Sequence, residues 1–153
     1  MSRDVAILGV GMHPWGKWGR NFAEYGVHAA QAALDDAGID WRDVQFVSGG
    51  DTIRNGYPGF IAGSTFAQAL GWSGAQVASS YGACATGAQA LNIARAQILA
   101  GLCDVALVVG ADAAPKGVEA DIVAQSFLKM GDYYEKGLPE AGIPKDEQES
   151  NRL

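Results

Sequence analysis

Apolar residues fall in two kinds of block along the chain. The first is a short, mostly apolar run containing Val, Ile or Leu and closed by glycine. Val5-Ala6-Ile7-Leu8 with Val10, Val44 to Val47 before Gly49-Gly50, and Val105 to Val109 before Gly110 are of this kind. Such runs suit strands covered on both faces. The second kind spaces its apolar positions three or four apart, the mark of a helix with one face inward. The pattern predicts strands over Asp4–Val10, Val44–Gly49, Gln76–Ser80 and Asp104–Gly110. It predicts helices from Asn21 to about Ala37, over Phe60–Leu70, and from about Ala83 to Ala100.

The punctuation agrees with these elements. Asn21 with Glu24 three residues on makes a capping box, and Gly38 is a natural stop for the helix that follows, whose stripe runs through Val27, Ala30, Ala33 or Leu34, and Ala37. Gly71 and Gly101 close the next two helices. Strand and helix then alternate, which implies an α/β fold, a mostly parallel sheet with helices on both faces. Ligands of such sheets sit at the carboxyl ends of the strands, and the Ser79–Cys84 turn is one of those ends. The pattern changes after Pro115-Lys116-Gly117. Val118–Lys129 reads as one more helix, and Lys145-Asp146-Glu147-Gln148-Glu149 begins a charged end. Residues 1–117 therefore read as the α/β domain and 118–153 as a divergent or truncated C-terminal segment.

Composition narrows the function classes. The 153 residues carry a net charge of −6 with no cluster of Lys and Arg, which argues against nucleic acid as a partner. No apolar run approaches the roughly 20 residues needed to span a bilayer. The acid Asp4 and the break at Gly11-Met12-His13-Pro14 make the opening a poor signal peptide. Two cysteines without a paired framework suggest a reducing compartment, and a cytoplasmic location is expected. Gly9-Val10-Gly11 lacks the third glycine and the helix of a dinucleotide-binding turn, so no such cofactor is expected; no metal is expected either.

The residue with candidate chemistry is Cys84, between Gly82-Ala83 and Ala85-Thr86-Gly87. Backbone N–H groups at a helix start lack intrahelical acceptors and face any negative charge placed there. The neighbours are small, so a substrate can approach a sulfur at this point. Taken locally, Cys84 is equally a displayed nucleophile or a small buried residue. His28 reads as a surface or packed helix residue, Cys103 as an inert core residue, and Pro14 to Arg20 as a surface loop packed by Trp15 and Trp18.

Three stretches resemble the amino-terminal half of a thiolase of the sterol-carrier-protein/lipid-transfer branch. They are Val5 to Lys17, Ala69-Leu70-Gly71-Trp72, and Ala83-Cys84-Ala85-Thr86-Gly87-Ala88-Gln89-Ala90, which is similar to the Cys-Ala-Ser-Gly nucleophile motif. The resemblance covers about residues 4 to 117 and implies a thiolase-like half-fold. It implies that Cys84 accepts an acyl group from an acyl-CoA, with Ala85 and Thr86 lining the site and coenzyme A present only as part of the substrate. It further implies a homodimer joined through strand 76–80. The alternative from the same branch is a carbon–carbon lyase for steroid side-chain acyl-CoA, working with a small OB-fold partner. The second-half histidine and cysteine of a complete thiolase are absent, so an inactive half-domain is the third expectation. His13 only mimics the Gly-His-Pro histidine and does not match it in position.

Overall fold

The structure, a computed structural model, describes residues 4–16, 18–51 and 62–113. Helix α1 spans Phe22–Ala37 and begins as its sequence dictates. The Asn21 side chain accepts from the Glu24 N–H at 3.0 Å, and the Glu24 carboxylate accepts from the Asn21 N–H at 2.9 Å. Gly38 closes α1 in the left-handed conformation, φ +67°. A 3-10 turn at Trp41–Asp43 leads to β1, Phe46–Gly50. Helix α2 spans Ala62–Leu70, β2 spans Gln76–Ser80, α3 spans Thr86–Leu99 and β3 spans Ala106–Gly110.

The three strands form one parallel sheet in the order β2-β1-β3. Phe46 is in register with Gln76 and with Ala106, and Gly50 with Ser80 and with Gly110. All five β1 residues are buried, as expected of a central strand in a covered parallel sheet. One face packs Val47, Leu107 and Val109 against Phe22 and Ala30 of α1 and Ala62 and Phe66 of α2. The other packs Phe46 against Ala94 of α3 and Cys103. Helices thus cover both faces, and the fold class expected from the alternation holds.

Close approach explains two of the glycines. A Cβ on Gly49 would fall 2.4 Å from the Gly63 Cα, so β1 and α2 meet backbone to backbone. A Cβ on Gly26 would fall 2.3 Å from the Phe66 ring, which lies across α1 there and meets Phe22 edge-on at 5.5 Å.

The expected first strand, Asp4–Val10, is a correction: those residues form no strand. Ile7, Leu8 and Val10 are 75%, 60% and 70% exposed. A strand needs a ladder partner as well as β-forming residues, and none of the three strands pairs with this segment. Its glycines bring it onto α1 instead. A Cβ on Gly9 would meet the Ala33 carbonyl at 2.5 Å, and one on Gly11 the Ala29 carbonyl at 2.2 Å. The Val10 N–H donates to the Asp36 carboxylate at 2.9 Å.

Two boundaries shift for local reasons. β1 starts at Phe46 because Val44 still belongs to the turn before it, its N–H donating to the Trp41 carbonyl. β3 starts at Ala106 because the Gln45 side chain takes the N–H groups of Asp104 and Val105. The start of the helix expected at Phe60, the boundary at 117 and the helix expected over 118–129 lie outside the described residues.

Candidate active site

The turn between β2 and α3 is held from its own side chains. The Thr86 hydroxyl donates to the Ala83 carbonyl at 2.7 Å and accepts from the Gly82 N–H at 2.9 Å. The Ser80 hydroxyl donates to the Thr86 carbonyl at 3.3 Å, and the Ala85 N–H donates to the Gly82 carbonyl at 2.9 Å. Thr86 itself is only 4% exposed. This net fixes Ala83 at φ +47°, a left-handed conformation that costs a non-glycine residue about 1–3 kcal/mol. Gly50 makes room for the lock, since a Cβ there would lie 2.4 Å from the Thr86 methyl.

Cys84 follows the strained residue and its thiol is exposed and free. The expectation that it sits on the first turn of the long helix needs correcting. Ala83–Ala85 form a separate 3-10 turn, and α3 starts at Thr86. The left-handed backbone at Ala83 breaks the α-helical path one residue before the sulfur, so the thiol stands on the bend. Ala85 is exposed beside it, whereas Thr86 turns inward with its hydroxyl engaged in the turn.

A cavity of about 430 Å³ lies next to this turn. Gly50 and Gly110 at the carboxyl ends of β1 and β3, Thr86 and Gly87 at the start of α3, the 11–16 loop, Tyr25 of α1 and Asp112 surround it. Of the three residues expected in the site, Thr86 lines this cavity, while Cys84 and Ala85 lie outside its lining. A second cavity of about 500 Å³, mostly apolar, runs between residues 5–11, α1, α3 and β3.

Sequence reading missed the partners that hold the turn. Ser80 and Gly50 are a small pair at the ends of adjacent strands, and the Gly49-Gly50 signal was legible without its target. It also missed His13, which lines the 430 Å³ cavity, with His28 exposed against it at 4.8 Å between ring centres. Cys103 is 7% exposed among Phe46, Ala94 and Ala106, as an inert core thiol should be. Burial pushes that thiol up from its ordinary value, and the charge of Asp104 adds to the shift. Among the described residues no three His, Cys, Asp or Glu side chains gather as a metal site, and no helix is long and apolar enough to cross a membrane.

Residues 7–126 match the family described as beta-ketoacyl synthase, N-terminal domain. The chain belongs to the thiolase superfamily. As a thiolase-superfamily amino-terminal domain it is 34% identical over 121 residues to an acetyl-CoA acetyltransferase of Methanocaldococcus jannaschii, covering 77% of this chain and 31% of that protein. It is 32% identical over 126 residues to sterol carrier protein 2 of Gallus gallus, covering 76% of this chain and 21% of the relative. It is also 32% identical over 113 residues to the benzoylsuccinyl-CoA thiolase subunit BbsB of Thauera aromatica, covering 73% of this chain and 29% of that subunit. The chain thus spans between about a fifth and a third of the length of these relatives. The fold agrees with a solved acetyl-CoA acetyltransferase from Syntrophomonas wolfei, TM-score 0.60 at 23% identity over 67% of this chain and 27% of that one. It agrees also with Xanthomonas campestris OleA solved with lauric acid and lauroyl-CoA, TM-score 0.58 at 22% identity over 64% of this chain and 29% of that one.

Proposed function

We propose that this domain carries the acyl-accepting nucleophile of a thiolase-type acyltransferase, and that Cys84 is that nucleophile. The observation that carries the reading is the exposed thiol one residue after the strained Ala83, at the position similar to the family's nucleophile motif. The Cys84 sulfur attacks the carbonyl carbon of an acyl-CoA thioester. The carbon–sulfur bond to coenzyme A breaks, coenzyme A leaves as its thiol, and the proton of Cys84 passes to the leaving sulfur. The acyl group is then held as a thioester on Cys84 for transfer to a carbon nucleophile.

The groups that a complete thiolase adds from its second half come from further polypeptide in this reading. The free edge of β2 fits a homodimer joined strand to strand, since Gln76, Val77 and Ser79 are exposed and β2 has only β1 as a ladder partner among the described residues. Both cysteines are free thiols, in keeping with a cytoplasmic setting, and the likeness to a sterol carrier protein favours lipid acyl-CoA metabolism. The test is release of coenzyme A from acetyl-CoA, followed chromatographically. One equivalent per chain is expected from the wild type and none from Cys84→Ala; equal release from both sinks the reading.

One observation favours the lyase as a second reading. Cys84 lies outside the lining of the 430 Å³ cavity, so a ligand there need not meet the thiol. In that reading an OB-fold partner completes the site, and carbon–carbon cleavage survives Cys84→Ala.

A further inference from the structure

The 430 Å³ cavity holds a polar pair for which the thiol chemistry has no use. We propose that His13 and Tyr25 form a hydroxyl-binding pair, and that the cavity takes an acyl thioester whose chain bears a hydroxyl near the carbonyl. The proposal rests on the acyl-CoA reading of the ligand but not on acylation of Cys84.

The His13 Nδ1 lies 2.9 Å from the Pro14 carbonyl oxygen. A carbonyl only accepts, so Nδ1 carries the hydrogen, and in that tautomer Nε2 is the acceptor nitrogen. The Trp18 indole N–H donates to the same carbonyl at 3.0 Å, which fixes that oxygen from a second side. The rings of Tyr25, His28 and Trp18 stand edge-on around the imidazole, at 4.7, 4.8 and 5.9 Å between centres. The imidazole is therefore a fixed acceptor.

Tyr25 is its complement. Its hydroxyl oxygen accepts from the Arg20 N–H at 3.2 Å, which leaves the phenolic hydrogen to donate. Among the described residues neither Nε2 nor that hydrogen is otherwise engaged. Of the other polar side chains in the lining, the Thr86 hydroxyl holds the turn and Asp112 has an interaction of its own. Met12, Trp15, Ala29, Ala90 and Val108 supply apolar wall. His13 and Tyr25 both line the cavity with their rings 4.7 Å apart, and an acceptor and a donor there match a group that both gives and takes a hydrogen bond. A hydroxyl does so. A keto oxygen would set its lone pairs against that of Nε2, and a saturated chain would leave both groups without a partner. The volume falls within the roughly 300–1,000 Å³ usual for small-ligand cavities.

Calorimetric titration of the full chain in a Cys84→Ala background separates this proposal from covalent acylation. 3-Hydroxybutyryl-CoA is expected to bind about tenfold tighter than butyryl-CoA or acetoacetyl-CoA, the size of one well-made hydrogen bond. His13→Phe should abolish that preference, and Tyr25→Phe should reduce it several-fold. Should His13→Phe fail to fold, the ¹⁵N resonance of His13 Nε2 in the chain with His13 intact serves instead; it should shift with 3-hydroxybutyryl-CoA and stay still with butyryl-CoA. Equal affinity for the three esters, binding of none, a preference that survives His13→Phe, or an unmoved Nε2 resonance each overturns the proposal. A preference that persists where the wild type fails to release coenzyme A overturns the acyltransferase reading alone.

Discussion

The two cysteines lie nineteen positions apart in sequence and in opposite environments. Cys84 stands exposed on a strained bend between β2 and α3. Cys103 lies between α3 and β3, buried against Phe46 and Ala94. Their side chains are identical, so the difference is made by backbone and neighbours. At the first, a net of hydrogen bonds holds Ala83 in a left-handed conformation and leaves the sulfur outside. At the second, apolar contact removes water and disfavours the thiolate. The fold thus turns one thiol toward chemistry and the other toward packing.

The largest contrast is in reactivity. Cys84 should react with iodoacetamide about 100-fold faster than Cys103, which must wait for a local opening of a few kcal/mol. Peptide mapping over time measures the ratio, and equal rates would erase the comparison. Next is Gly50→Ala, whose new methyl runs into the buried Thr86 side chain. Overpacking of this kind costs about 1–3 kcal/mol in denaturant unfolding, and it should change the Cys84 rate while leaving Cys103 slow.

Thr86→Val keeps the shape but removes the hydroxyl that holds Ala83 and Gly82. A loss of about 1–2 kcal/mol is expected, with the Gly82 N–H losing its acceptor. The smallest effect belongs to Cys103→Ala, about 1 kcal/mol for a small core truncation. It carries a pH signature. The folded state holds the Cys103 proton more tightly than the unfolded state, so its stabilising share is complete below the ordinary thiol value of 9.0. That share falls as pH rises from there through the raised value. Urea unfolding between neutral and alkaline pH should show the decline in the wild type and a weaker one in Cys103→Ala.

What could be read from the sequence was local. Asn21, Glu24 and Gly38 bound α1 through contacts within a few residues, and β2 runs over Gln76–Ser80 as the residue pattern predicts. The Cys84 motif was legible because the signal is a short string of small residues. What was not legible depended on partners remote in sequence. Val5 to Val10 have the composition of a strand, yet none of the described strands pairs with them, and Gly9 and Gly11 set the segment on α1. The start of α3 depended on Ala83 taking a left-handed φ, which the chain shows only through Thr86 three residues on and Gly50 on the neighbouring strand. His13 read only as a mimic of a family histidine out of position, because its meeting with Tyr25 needs α1 folded against the opening segment.

The central claim is that Cys84 accepts an acyl group. Intact-protein mass spectrometry after incubation with acetyl-CoA, followed by peptide mapping, tests it most directly. The account predicts one added acetyl group, located on the peptide containing Cys84, labile to hydroxylamine and missing from Cys84→Ala. An unmodified wild-type chain, or an acetyl group on Cys103 instead, would contradict it.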